Sequence, residues 1–145
     1  MFKQGQIIEQ LDKLAGFEIV LVYTNVPRNT KRLVAKTSSR RELFPSVMEK
    51  IIESIDEISL TQWSQIKSGE DYDRIRTLVT INQDLLNSMG AGHQTIDDIL
   101  QVASSFDLVG KLTGAGGGGT VLILLRPGIF REIYIFSNKN SCIIM

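Results

Sequence analysis

The sequence predicts an α+β domain, a small and mostly antiparallel sheet with helices packed on one face. Three observations carry that expectation. Residues 17–24 (Phe-Glu-Ile-Val-Leu-Val-Tyr-Thr) are a run of β-branched and aromatic side chains between Gly16 and Asn25, the pattern of a strand. From Pro45 to Asp107 apolar side chains recur at the i, i+3, i+4 spacing of amphipathic helices. A second apolar run, Val121-Leu-Ile-Leu-Leu125, follows a glycine-rich stretch and closes at Arg126-Pro-Gly128. Strands and helices do not alternate in the regular βαβ order of a parallel sheet.

Bulk composition is consistent with one domain. The 145 residues are 43% hydrophobic and 22% charged, ordinary globular values. Sixteen basic residues balance sixteen acidic ones, so no global charge favours nucleic acid or an acidic membrane. A single cysteine, Cys142, excludes an internal disulfide framework and points to a reducing, cytoplasmic setting. No apolar run reaches the roughly 20 residues of a membrane span, and the N-terminus lacks the apolar core of a secretory signal.

In chain order, residues 5–13 read equally as a short strand or a helix. The strand over 17–24 is apolar almost throughout, which predicts burial on both faces. Pro27 pushes Val26 away from helical angles, and Asn29 or Thr30 then caps a helix through residues 31–35. Arg28 falls between them, where a strand ends and the unpaired N–H groups of a helix begin, a setting suited to phosphate. The alternative for Arg28 is an ordinary solvated cation.

Pro45 restarts a helix at a favoured first-turn position. Met48, Ile51, Ile52, Ile55 and Ile58 make its inner face, with Trp63 packed in the same stripe. The break at residues 68–71 separates it from a helix over residues 72–89, whose apolar pattern Asn82 and Gln83 interrupt. Gly90 or Gly92 supplies the left-handed cap. Thr95 then caps a further helix, with Asp97 and Asp98 in its first turn and Ile96, Ile99, Leu100, Val102 and Ala103 directed inward. It stops near Asp107. Residues 132–136 read as one more strand.

The stretch Lys111-Leu-Thr-Gly-Ala-Gly-Gly-Gly-Gly-Thr120 holds five glycines in six positions, a composition that is costly to order. Either the backbone needs positive φ angles there or a ligand approaches bare N–H groups. Lys111 adds a cation and Thr113 a hydroxyl, both suited to phosphate. A flexible linker is the alternative, but linkers are usually Ser-rich and not joined to a buried strand.

Gly114, Gly116 and Gly119 satisfy G-x-G-x-x-G, yet the order reads as helix, glycines, strand. A dinucleotide fingerprint needs the reverse. Leu112 after Gly110-Lys111 also breaks the P-loop pattern. His93, the only histidine, has no partners for a metal cluster and is expected to bond a backbone carbonyl and shape its turn. Cys142-Ile-Ile-Met145 matches a prenylation signal without the basic residues of a second membrane anchor, and reads as coincidence.

Three of these stretches together resemble the mevalonate kinase family, within the galactokinase, homoserine kinase, mevalonate kinase and phosphomevalonate kinase superfamily. They are Val26-Pro-Arg-Asn-Thr30, then Ile81-Asn-Gln with Met89-Gly-Ala-Gly-His93, then residues 111–119. The likeness runs from about residue 3 to residue 128 and covers the family's C-terminal half. It implies a ferredoxin-like domain over residues 1–128 with a divergent tail over 129–145. It also implies phosphate transfer from ATP, with Mg2+, to the 5-hydroxyl of mevalonate.

By that resemblance Lys111, Thr113, Gly114, Ala115, Gly116, Gly117 and Gly118 line the cleft between two domains. Arg28, Asn29 and Thr30 sit near phosphate and mevalonate. No catalytic or metal-binding residue belongs to this chain, because the family's ATP loop, metal carboxylate, catalytic aspartate and lysine lie in an N-terminal half. The expectation is a fragment that is inactive without that N-terminal domain, and that forms a homodimer when complete. The family's final helix and strand do not appear after Gly128, so the sheet should show an open edge. Two other readings stand beside this one: a non-catalytic binding module, and a kinase of the same superfamily acting on phosphomevalonate or another small alcohol.

Overall fold

The computed structural model describes residues 2–3, 6–7, 9–10, 17–27, 29–69 and 72–126. Arg28, the strand expected over 132–136 and the Cys142 motif lie outside them. The elements are β1 (Phe2–Lys3), β2 (Gln6–Ile7), β3 (Ile19–Tyr23), α1 (Thr30–Leu43), α2 (Pro45–Ser68), α3 (Tyr72–Met89), α4 (Gln94–Ser105), β4 (Val109–Leu112) and β5 (Thr120–Leu124). β1 and β2 form a separate antiparallel ribbon. The main sheet is three-stranded and antiparallel, in the order β3-β5-β4. The class is the expected α+β.

β5 is central, and its register fixes the faces. Val20 opposes Ile123, Val22 opposes Val121, and Leu112 also opposes Val121. These side chains meet Ile96 and Ala103 of α4, with Leu108 and Leu125, in the main core. Ile96 and Val121 are fully buried there. A smaller cluster joins Ile75 and Val79 of α3 to Leu124, with Phe17, Ile66, Tyr72 and Val109 around it.

β3 departs from the expected burial on both faces. Val20 is buried, but Ile19, Leu21 and Tyr23 are 46%, 43% and 63% exposed. An apolar run signals two-sided burial only when both faces have cover; here α4 covers the face that bears Val20, while on the other face α3 packs on Leu124 and Val109 and leaves Ile19, Leu21 and Tyr23 exposed. β3 is also an edge of this sheet.

The glycine stretch is preceded by a strand and not by a helix. Val-Gly-Lys-Leu is too short and too glycine-containing to read as β, but it pairs with β5 from Val109↔Leu124 to Leu112↔Val121. Gly110 is required at that place. A Cβ there would fall 2.5 Å from both Ile123 Cδ1 and the Leu122 carbonyl, and 2.9 Å from Leu100 Cδ2 of α4. The order strand, loop, strand still fails the dinucleotide pattern.

α1 starts where expected and runs eight residues further, to Leu43. Its sequence hid this because the helix buries no residue and so carries no apolar stripe. Contacts hold it instead: Arg40 Nη1 donates to the Ser88 carbonyl at 2.7 Å. α2 begins on Pro45 and ends at Gly69, a left-handed cap at φ 71°. Trp63 donates its indole N–H to Glu9 Oε2 at 2.6 Å.

α4 is capped by His93 and not by Thr95, because the His93 ring Nδ1 accepts from the Thr95 amide at 3.1 Å. The histidine does shape the turn, with a backbone amide as partner where a carbonyl was expected. Val102 is 61% exposed and so lies off the inward face that Ile96 and Ala103 define.

Candidate functional site

Residues 113–119 form the loop of the β4–β5 hairpin. The Thr113 amide donates to the Thr120 carbonyl at 3.0 Å, and the Thr113 hydroxyl donates to the same oxygen at 2.9 Å. Beyond this clasp Gly114, Gly116, Gly117, Gly118 and Gly119 take φ values of 68°, 79°, 67°, 130° and 82°. Side-chain-bearing residues are strained in that region, so backbone conformation accounts for much of the glycine content.

Close approach accounts for the rest. A Cβ on Gly116 would lie 2.1 Å from the Ala91 carbonyl oxygen. On Gly117 it would lie 2.6 Å from Leu33 Cδ1, and on Gly118 2.8 Å from the Val26 carbonyl. The loop is thus pressed by the 90–93 turn, by α1 and by the chain leaving β3. Two backbone bonds fasten it: Gly117 N–H to Ala91 O and Thr24 N–H to Gly119 O, both 2.8 Å. Thr24 is buried, and its hydroxyl accepts from the Val26 amide at 3.3 Å. Among the described residues, the amides of Gly114, Ala115, Gly116 and Gly118 donate to no backbone carbonyl.

The contact with Leu33 places the start of α1 beside this loop. Asn29 caps that helix, its Oδ1 accepting from the Arg32 amide at 3.0 Å. No acidic residue occupies the first turn, so the positive end of the helix dipole is uncompensated. Lys31 and Arg32 follow directly, and α1 carries five cations against the single acid Glu42. A glycine loop in positive-φ geometry beside an uncompensated, basic helix N-terminus has the chemistry of an anion site.

The structure gathers most of the sequence-selected residues there. Asn29 and Thr30 stand at the head of α1, Gly117 packs on Leu33 of that helix, and Gly116 and Gly118 lie against Ala91 and Val26. Gly114 is exposed and Ala115 half-buried at the loop's tip. Two residues are committed elsewhere. The Thr113 hydroxyl is spent on Thr120. Lys111 lies within β4, its ammonium donating to the Leu112 carbonyl at 3.2 Å, and burial pushes its pKa down. Arg28 is outside the described residues.

Sequence reasoning missed the supports, namely Thr24, Leu33, Ala91 and Gln83. Gln83 stood in the sequence as a polar interruption of α3 and as part of the Ile81-Asn-Gln stretch, with no role attached to it. It is 4% exposed and its Oε1 accepts from the Leu112 amide at 2.8 Å, a partner 29 positions away. Among the described residues no three His, Cys, Asp or Glu side chains are grouped to hold a metal ion, and no helix is long and apolar enough to cross a membrane.

Comparison with known proteins agrees with this architecture. The family model described as GHMP kinases C terminal matches residues 51–129, more than half of the chain. Mevalonate kinase of Mus musculus is 40% identical over 134 residues, covering 88% of this chain and 34% of the relative. That of Homo sapiens is 38% identical with the same coverage of both. The chain therefore spans about a third of the length of the curated relatives it matches. The crystal structure of L. major mevalonate kinase in complex with R-mevalonate superposes with a TM-score of 0.77 at 20% identity, over 89% of this chain and 41% of that one. The Methanococcus jannaschii mevalonate kinase gives 0.62 at 24% identity, over 91% and 39%. With the family model matched over residues 51–129 and relatives about 40% identical over 88% of its length, the chain belongs to the GHMP kinase C-terminal family.

Proposed function

We propose that this chain is the C-terminal half of an ATP-dependent mevalonate kinase, and that its glycine loop forms one wall of the phosphate site. A single observation carries the reading: a glycine loop in positive-φ geometry packs on Leu33, near the start of a basic helix with no acidic residue in its first turn. The names of the relatives supply mevalonate as the acceptor. Residues 1–128 act as the domain and 129–145 as a divergent tail, in a cytoplasmic enzyme that is a homodimer when complete.

Phosphoryl transfer needs positioning and fixed positive potential around the transferring group. In this proposal Asn29 and Thr30 hold the head of α1 toward the phosphate, and Gly114, Ala115, Gly116, Gly117 and Gly118 offer N–H dipoles. Arg28 adds a cation near phosphate and mevalonate. Lys111, committed to the Leu112 carbonyl in this arrangement, would reach the ligand by rotating its ammonium away. Mg2+ does not fit the described residues, which offer no grouped carboxylates. Its ligands belong to the N-terminal half, and so does the group that activates the mevalonate hydroxyl.

The purified 145-residue chain, given ATP, magnesium and mevalonate, is accordingly expected to form no ADP above the protein-free rate. Mevalonate-dependent ADP production by this chain alone would show that its own residues complete the chemistry and would overturn the assignment of a wall.

A further inference from the structure

We propose that Gln83 is a positioning residue for the glycine loop, one amide that sets both the loop's root and its flank. The proposal rests on the phosphate-site reading for its functional meaning, though its geometry stands independently. Gln83 lies on α3, outside the loop and outside the head of α1, and is 4% exposed. A buried primary amide costs free energy unless its donors and acceptor find partners. Both ends of this one do, and the two partners lead to the two supports of the loop.

The first arm reaches the root. Thr113 N–H points to Thr120 across the hairpin, so Leu112 N–H, one residue earlier, points outward from the edge strand β4. Among the described residues no strand lies on that side to receive it. Gln83 Oε1 accepts it at 2.8 Å, and because an amide N–H can only donate, this fixes which way round the Gln83 amide sits. Leu112 is the last strand residue before the loop.

The second arm reaches the flank. Gln83 Nε2 donates to Asn87 Oδ1 at 3.0 Å, one turn along α3. That same Oδ1 lies against Gly92, 2.6 Å from where a Cβ would stand. The Asn87 carbonyl accepts from the Gly90 amide at 2.9 Å. Asn87 therefore shapes the 90–93 turn, whose Ala91 carbonyl binds Gly117 at 2.8 Å. The first bond satisfies the edge amide, and the second satisfies the buried Nε2 through a residue that shapes the loop's flank. The second ties the height of the loop's flank to the height of its root, which keeps Gly117 seated on Ala91 and on Leu33 near the start of α1.

Amide hydrogen exchange on the 15N-labelled 145-residue chain tests this, because it reads each bond locally. Gln83→Met keeps the volume and removes both arms. Asn87→Ala, at an exposed position on α3, removes only the second. Val79→Ala, in the neighbouring apolar cluster, serves as a control for general destabilisation. Measured relative to α4 amides, Gln83→Met is expected to speed exchange at both Leu112 and Gly117 at least tenfold. Asn87→Ala should speed Gly117 by a similar factor and leave Leu112 unchanged, and Val79→Ala should change neither ratio. Gly117 exchange within twofold of wild type in both Gln83→Met and Asn87→Ala would overturn the proposal, as would the same loosening in Val79→Ala.

Titration with pyrophosphate, followed at the Gly116, Gly117 and Gly118 amides, separates this proposal from the reading beneath it. Binding at least fivefold weaker in Asn87→Ala than in wild type supports positioning, and equal binding counts against it. If the wild-type amides do not respond to pyrophosphate, the phosphate-site reading fails, and the exchange ratios still decide the role of Gln83.

Discussion

Gly116→Ala is expected to lower the stability of the chain by about 3 kcal/mol or more, through positive-φ strain and a backbone clash together. Gly69 makes the comparison informative. Its φ of 71° is close to the 79° of Gly116, but a Cβ at Gly69 would meet nothing within 4 Å. Gly69→Ala should therefore show the conformational cost alone, about 1 kcal/mol. At Gly116 the added methyl would stand 2.1 Å from the Ala91 carbonyl oxygen, a backbone atom that no rotamer change can move. Relief requires the 90–93 turn to shift, which breaks the Gly117 N–H to Ala91 O bond. Urea midpoints read the difference directly, since neither substitution alters the buried area much. Equal losses at the two glycines would mean that the loop does not press on the turn.

The second large effect belongs to the core. Ile96 is fully buried on α4 against Val121, Leu112 and Ile123. Ile96→Ala removes three carbons where the sheet and helix cannot both relax inward, and is expected to cost about 3–4 kcal/mol. Val102, six positions later on the same helix, is 61% exposed, and Val102→Ala should change stability by no more than about 0.5 kcal/mol. Thermal or urea unfolding of the two variants checks the contrast. Similar losses would show that α4 presents a different face to the sheet. The Ile96 effect is also a large share of the roughly 5–15 kcal/mol that holds a domain of this kind together.

These positions also show what was legible in the sequence. α3 was legible at both ends, Tyr72 and Met89, because a break at 68–71 and a glycine turn at 90–92 bracket an apolar pattern that only Asn82 and Gln83 interrupt. The start of α1 was legible from Asn29 and Pro27, but its length was not, since a helix that buries nothing leaves no periodic signal. β4 was hidden by its four residues and by Gly110, whose presence reflects contact with Leu100 and Ile123 and not local preference. β3 misled in the other direction: an apolar strand at an edge, uncovered on one face, looks in sequence like a strand buried on both.

The site was legible in part for the same reason. Glycine content announced a special backbone, and the positive φ values bear that reading out. What the sequence could not supply was tertiary: that Leu33 and Ala91 press the loop, that the Thr113 hydroxyl closes the hairpin, and that Gln83 answers an amide 29 positions away. Each depends on partners that only the fold brings near.

If the glycine loop is one wall of a phosphate site, turnover requires activating groups from an N-terminal part that this chain does not supply. Such groups can be supplied by joining the 145-residue chain to all of the Mus musculus mevalonate kinase that precedes the matched third, and mevalonate-dependent ADP production is then measured. Turnover is expected from the joined protein and from neither part alone, and is expected to be lost when Gly117 is replaced by leucine while the fold persists. A joined protein that folds, binds ATP and yet forms no ADP would contradict that reading of the loop.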